Sequence, residues 1–323
     1  MASNSSPEIP PEIIHKIINE LRDDIHTLQN TSLVAHSFLR PSQQSLFSKI
    51  IVNLYGSGNP SPNTQKLVSI LSANVELAFY VRDLILTIED THTSDTNSTT
   101  GGESEALSAL AMLQQIRKLS LHHIPSWTHI DIALRHTILG LSALPRLSTL
   151  ALTDTRDFPI DHLVPQLSRL TNLTLTNVDL TQDKVGGLSL PERGNYSDIV
   201  EGKLEVVAFD CVTARSGLAK LFIALTSPQS KLKVTDLRAL KISGYGPYFE
   251  ETMALEKIMG FVAEKLECLI WGTLDEVSVY RLYSSWISYR EYLSAHVSQV
   301  IHCPRNCSVQ NRDLIQEQST SRH

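Results

Sequence analysis

The chain has 323 residues, 42% of them hydrophobic, enough to bury a sizeable core as one long domain or two shorter ones. A formal net charge of -6 with no Lys/Arg block beyond scattered pairs such as Lys231 and Lys233 argues against a nucleic-acid partner. Four cysteines, two of them (Cys211 and Cys268) in apolar runs and two (Cys303 and Cys307) in a polar stretch, imply a reduced compartment rather than a disulfide framework. Met1 to Ser6 carries no apolar signal segment and no span of 18 apolar residues follows, so a cytoplasmic or nuclear location is expected.

Pro10-Pro11 announces a helix, because proline at the first helical position sacrifices no hydrogen bond. Ile13, Ile14, Ile17, Ile18 and Leu21 then form one apolar face of a helix ending near Arg22-Asp23. Asp24 is placed to cap a second short helix carrying Ile25 and Leu28. Leu33, Val34, Phe38 and Leu39 supply a third, which Pro41 is expected to stop, and Ser42 then caps a last turn leading to Leu46, Phe47 and Ile50. Three helices in so short a segment bury too little surface to stand alone and need a neighbour.

The order Ile9-Pro10-Pro11-Glu12-Ile13-Ile14, Ile17-Ile18, Leu21, Leu28 and Ser32-Leu33-Val34 resembles the F-box, and the stretch from Ser32 to Phe47 is similar to the version found in mushroom-forming fungi. Three positions depart from that pattern: Ile9 replaces the usual Leu, Ala35-His36 displaces the usual basic residue, and Phe38 replaces the usual Trp. The resemblance implies a segment, residues 7–52, that docks on the Skp adaptor of a cullin-based ubiquitin ligase. Carried over residue by residue, the adaptor contacts would be Ile9, Pro10, Pro11, Ile13, Ile17, Leu33, Val34 and Phe38. A three-helix amino-terminal cap on a larger fold is the alternative, and periodicity alone does not separate adaptor-facing residues from those that hold the helices together.

Residues 53–80 read as a linker and a connecting helix. Gly-Ser-Gly-Asn-Pro-Ser-Pro interrupts regular structure after Tyr55, and Leu67, Ile70 and Leu71 mark the helix. The segment from Ala73 to Leu86 resembles one that follows the F-box in the same fungal proteins, leading into the first strand of a repeat.

From residue 81 to 300 an apolar-x-x-apolar-x-apolar spacing recurs. The copies are Val81-Leu84-Leu86, Ile116-Leu119-Leu121, Leu147-Leu150-Leu152, Leu170-Leu173-Leu175, Leu204-Val207-Phe209, Leu237-Leu240-Ile242 and Leu266-Leu269 with Trp271. Helical periodicity fills the intervals, as in Leu134-Ile138-Leu141 and Leu218-Leu221-Phe222-Leu225. Each interval holds one strand and one helix. Such a unit cannot cover its own apolar faces, and stacking the units makes one core, as in a leucine-rich-repeat horseshoe with parallel strands. The repeats are degenerate, since only Asn177 and Cys211 occupy the Asn or Cys position that follows a regular repeat strand. The expected fold class is α/β: a three-helix F-box followed by a leucine-rich-repeat-like solenoid of alternating strands and helices. A doubly wound open sheet predicts the same alternation, but no strand is followed by a glycine-rich phosphate turn.

Residues 91–103, rich in Ser, Thr, Asp and Gly, read as a loop. Leu282, Trp286, Tyr289 and Leu293 mark a helix suited to cap the array, and residues 301–323 read as a disordered tail. Catalytic motifs are missing: there is no nucleophile elbow, Walker loop, His-Glu-x-x-His or Cys-x-x-Cys. His122-His123 would point to opposite faces of a strand, and His302, Cys303 and Cys307 lack a fourth zinc ligand, so no metal, cofactor or enzymatic activity is expected.

The sequence therefore predicts a substrate-receptor subunit, with the Skp adaptor (and through it a cullin) and an unknown protein target as partners, and neither nucleic acid nor membrane. The alternative is a protein-binding scaffold whose F-box-like cap no longer binds the adaptor. Residues between the strand leucines, Ser120, Thr149, Thr174, Thr176 and Asp210, should line the target-binding concave face.

Overall fold

The computed structural model describes residues 9–55, 59–89, 102–164, 167, 169–181, 202–210, 217–226, 230, 232–244, 258–259, 262 and 265–273. The expected capping helix around Trp286, the tail and most of the 91–103 loop lie outside these residues, as does Cys211.

Three helices open the chain: α1 (Pro11–Glu20), α2 (Ile25–Val34) and α3 (His36–Leu46). Pro11 sits at the first helical position of α1, and Asp24 caps α2 by accepting the Thr27 amide at 3.0 Å. Proline does not end the third helix. α3 runs through Pro41 to Leu46, forgoing only the one backbone bond that a proline nitrogen cannot donate.

The segment from Lys49, read from sequence as the end of the helical bundle, is instead a strand, β1 (Lys49–Tyr55). Its alternation is the reason: Ile50, Val52 and Leu54 are buried and the residues between them are not. With Phe47, this segment is an eighth copy of the recurring spacing, Phe47-Ile50-Val52, one unit ahead of the first copy recognised in the sequence. The edge of β1 is closed by its own connection. The Tyr55 amide donates to Asn59 O, Ser61 donates to Asn53 O, and the Asn53 amide donates to Thr64 Oγ1.

Helix α4 (Pro62–Ala73) and a 3-10 turn (Val75–Tyr80) lead to β2 (Asp83–Glu89). α5 (Gly102–Ala111) begins inside the stretch read as a loop. There follow β3 (Lys118–His122), α6 (Ile132–Ser142), β4 (Thr149–Pro159), the single-turn α7 (Ile160–Leu163) and β5 (Asn172–Thr181). Beyond these come β6 (Gly202–Lys203), β7 (Val206–Asp210), α8 (Gly217–Thr226), β8 (Leu232–Lys233), β9 (Ala239–Gly244) and β10 (Cys268–Thr273).

Among the described residues eight strands form one sheet in the order β1-β2-β3-β4-β5-β7-β9-β10, every pair parallel, while β6 and β8 pair separately. The order follows the chain without reversal, so among the described strands there is no topological switch point of the kind a doubly wound sheet has. Register aligns the recurring spacing. Ile50, Leu84, Leu119, Leu150, Leu173, Val207, Leu240 and Leu269 stand side by side, and the third positions from Val52 to Trp271 form the next row. The first positions, Val81, Ile116, Leu147, Leu170, Leu204, Leu237 and Leu266, are all buried beneath the strand starts.

One hydrogen-bond pattern repeats at each step. The carbonyls of Ser48, Arg82, Arg117, Ser148, Thr171, Glu205 and Arg238 each accept two consecutive amides from the next strand, at 2.7–3.0 Å. Burying these polar groups in identical pairs satisfies the strand starts whatever the length of the intervening segment, which is how steps as different as 23 and 35 residues share one sheet. Side chains of α4, α5, α6 and α8 pack on the same sheet face, forming one continuous core with the strand rows. A second, much smaller core of Ile14, Ile18 and Leu28 holds α1, α2 and α3 together.

Candidate functional site

Two surfaces follow from this layout. The first is the outer side of the three-helix bundle. In each apolar pair of α1 one partner turns inward and the other outward: Ile14 and Ile18 are buried, Ile13 and Ile17 are exposed. At the end of α2, Leu33 and Val34 are 82% and 74% exposed. Ile9, Pro10 and Pro11 are exposed as well. Seven of the eight residues carried over from the F-box pattern thus stand on the bundle's surface. Phe38 does not: it is half-buried and packs against Ile14, Ile18 and Leu28, so its ring belongs to the bundle core.

The second surface is the sheet face turned away from the core. Ser120, Thr149, Thr174, Thr176 and Asp210 all lie on it, because each alternates with a buried residue of the leucine rows. Register places Ser120 beside Ala151 and then Thr174, and Thr176 beside Asp210. Thr149 accepts from Asn172 Nδ2 at 3.4 Å. Ser120 differs from expectation in being buried, since Ile85 and Ala151 flank it on the adjacent strands and leave its short side chain little access to solvent. The remaining four are half-buried, the ordinary state of side chains that shade one another across adjacent parallel strands. Ile51, 57% exposed, marks the apolar end of this face, and Lys241 stands near the other.

One cluster escaped the sequence reading. His123, Asp154 and Asn177 occupy the same place after β3 and within β4 and β5, and all three have left-handed backbones with φ of 55°, 51° and 54°. Asn177 Nδ2 donates to Asp154 Oδ1 at 2.6 Å, and His123 Nδ1 lies 3.2 Å from Asp154 Oδ2. The left-handed turn takes His123 off the strand, so the alternation argument applied to His122-His123 does not hold there, and the ring is drawn toward Asp154. Burial, followed by the neighbouring His123, lowers the pKa of His122 below the ordinary imidazole value. The residue types were the sequence signal for this row, since His, Asp and Asn adopt the left-handed region more readily than most residues.

Asp131 caps α6 by accepting the Ala133 amide at 2.7 Å, while His129 ends a 3-10 turn. Among the described residues no three His, Cys, Asp or Glu side chains converge to hold a metal ion, and no helix is long and apolar enough to cross a membrane. Comparison with family models, curated proteins and solved structures finds no match to this chain.

Proposed function

We propose that this chain is the substrate-receptor subunit of a Skp-cullin-F-box ubiquitin ligase, an adaptor-docking helical bundle joined to a degenerate leucine-rich-repeat-like solenoid that binds a protein target. The observation that carries the reading is the division of apolar side chains in the bundle. Ile14, Ile18 and Leu28, with Leu21, Phe38 and Leu46 packed against them, form the core of the bundle, yet Ile9, Ile13, Ile17, Leu33 and Val34 remain exposed. Leaving five large aliphatic side chains exposed on so small a unit is unfavourable unless a partner covers them, which is the mark of a protein-binding surface. The repeat reading rests on the sequential parallel strand order, the aligned leucine rows and the recurring pair of amides at every strand start. The outward sheet face, where Ser120, Thr149, Thr174 and Thr176 are joined by Asp210, is the surface assigned to the target.

The test is a pull-down of purified chain with purified Skp adaptor, comparing wild type with a Leu33→Asp, Val34→Asp double variant. Both positions are exposed, so the variant keeps its circular-dichroism spectrum and loses the adaptor. Wild-type protein that fails to bind at micromolar concentration, about -8 kcal/mol, refutes the adaptor assignment and leaves a binding scaffold with an F-box-like cap.

A further inference from the structure

The starts of β2, β3 and β4 gather positive charge. Arg82, just before β2, donates from Nη1 to the Gln115 carbonyl at 3.3 Å and to Gln115 Oε1 at 3.4 Å. Arg146, in the turn before β4, donates to the same Oε1. Arg117 holds in the third strand the place that Arg82 holds in the second. Two guanidinium groups thus converge on one amide oxygen with a third nearby. Burial lowers the pKa of Arg82 from its ordinary range, and the charges of Arg117 and Arg146 lower it further.

Among the described residues, none of these three arginines makes an ion pair with a carboxylate. The contrast with the far end of the same column is direct: there Arg238 lies 3.8 Å from Glu267. A depression of about 390 Å³ opens beside Arg82, lined by Gln44, Ser48, Phe79, Tyr80, Arg82 and Gln115. Among the described residues its lining contains amides, hydroxyls and a guanidinium but no acidic side chain. Arg40 Nε donates to Tyr80 Oη at 3.2 Å, which holds a fourth guanidinium beside a lining residue, where the Glu76 carboxylate also acts on it, and Phe79, 49% exposed, supplies an apolar wall.

Like charges held this close repel, and the repulsion is relieved when an anion enters. A carboxylate brings one charge and two acceptor oxygens. A phosphate monoester brings up to two charges and three acceptor oxygens, which suits several guanidinium forks at once. We propose that the depression between α3 and the strand starts is a binding site for a phosphate monoester, gripped by Arg82 and Arg146, with Arg117 and Arg40 adding charge and Phe79 flanking the carbon skeleton that bears the phosphate. The site stands apart from the adaptor reading, since its test contains no adaptor.

Isothermal titration of the full chain in a chloride buffer decides it, with three probes: inorganic phosphate, a short phosphoserine peptide, and the same peptide with Glu in place of phosphoserine. Saturable binding of the phosphate probes is expected at sub-millimolar concentration. The Arg146→Ala variant, which removes an exposed side chain and leaves the fold intact, should weaken it about tenfold. Arg82→Lys, which keeps the charge but loses the fork, should weaken it by at least as much, and Arg238→Ala should leave it unchanged. Tighter binding of the phosphopeptide than of inorganic phosphate assigns the ester to a protein partner, and equal binding assigns it to a small phosphorylated molecule. The proposal is overturned by a lack of saturable phosphate binding at millimolar concentration, by an Arg146→Ala variant that binds like wild type, by an equal loss in Arg238→Ala, or by a Glu peptide that binds as well as the phosphopeptide.

Discussion

Replacing Leu28 by Ala should open the helical bundle while leaving the sheet closed. Leu28 is 1% exposed and shares its cluster with only two other fully buried side chains, Ile14 and Ile18, whereas the sheet has its own continuous core. Burial of three aliphatic side chains contributes about 1.5–3 kcal/mol each, and a Leu→Ala change in a core costs about 2–5 kcal/mol. One substitution therefore removes a large part of what holds α1, α2 and α3 together. Taking 3 kcal/mol as a central value, the local opening constant rises roughly a hundredfold. Amide hydrogen exchange read by mass spectrometry resolves this: peptides from α1 and α2 should lose protection while those from β3, β4 and β5 keep theirs, the behaviour of separate cooperative units. The Leu33→Asp, Val34→Asp variant should exchange like wild type throughout. A fall in β3–β5 protection in parallel with that of α1, or loss of bundle protection in the Leu33/Val34 variant, refutes the division into two cores.

Replacing His123 by Gly should stabilise the chain by about 1 kcal/mol in urea denaturation, because glycine relieves the left-handed backbone and the exposed pair with Asp154 contributes little. Leu150→Ala, in the middle of the leucine rows and fully buried, should cost about 2–5 kcal/mol, while Thr149→Ala on the outward face should fall within about 0.5 kcal/mol of wild type; the same denaturation curves check both. Hydrogen bonds from the Thr27 side chain and amide lower the pKa of Asp24 below the usual carboxylate value. The stability this linkage provides is therefore present above the unfolded-state pKa and is lost as pH falls through the folded-state pKa. In an acid titration followed by exchange, Asp24→Asn should flatten the dependence of α2 protection in that acidic window, and an unchanged profile would refute the cap's role.

Much of this fold is legible in the sequence, for a reason visible in the leucine rows. Parallel register converts a spacing such as Leu147-Leu150-Leu152 into a fixed place under each strand, so one short pattern reports both element and neighbour. The eighth copy, Phe47-Ile50-Val52, carries the same signal. It was obscured because the resemblance of the preceding segment to an F-box extends across it. Helix starts were likewise readable from Pro11 and Asp24, whose effects are local. The choice between Ile13 and Ile14, or Ile17 and Ile18, was not, because adjacent residues differ by only about 100° around a helix and it is Leu28, from another helix, that selects which one turns inward. Pro41 misled for a similar reason: its cost is local, but packing of Phe38 and Leu46 on the bundle core keeps α3 continuous across it.

The candidate surfaces were harder to read because they are built across strands. Neighbours on the outward face lie about 4.8 Å apart in space yet 23 to 35 residues apart in sequence, one from each unit. Thr176 and Asp210 meet in one row, and Arg82, Gln115 and Arg146 meet around a single oxygen, without any short motif that joins them. A surface assembled in this way can change one row at a time, since each outward residue alternates with a buried one that fixes the strand independently. The outward side chains of the sheet face are thereby separated from the packing that holds the sheet. Substitutions there should have little effect on whether the chain folds, whereas the same change one residue along the strand enters the core.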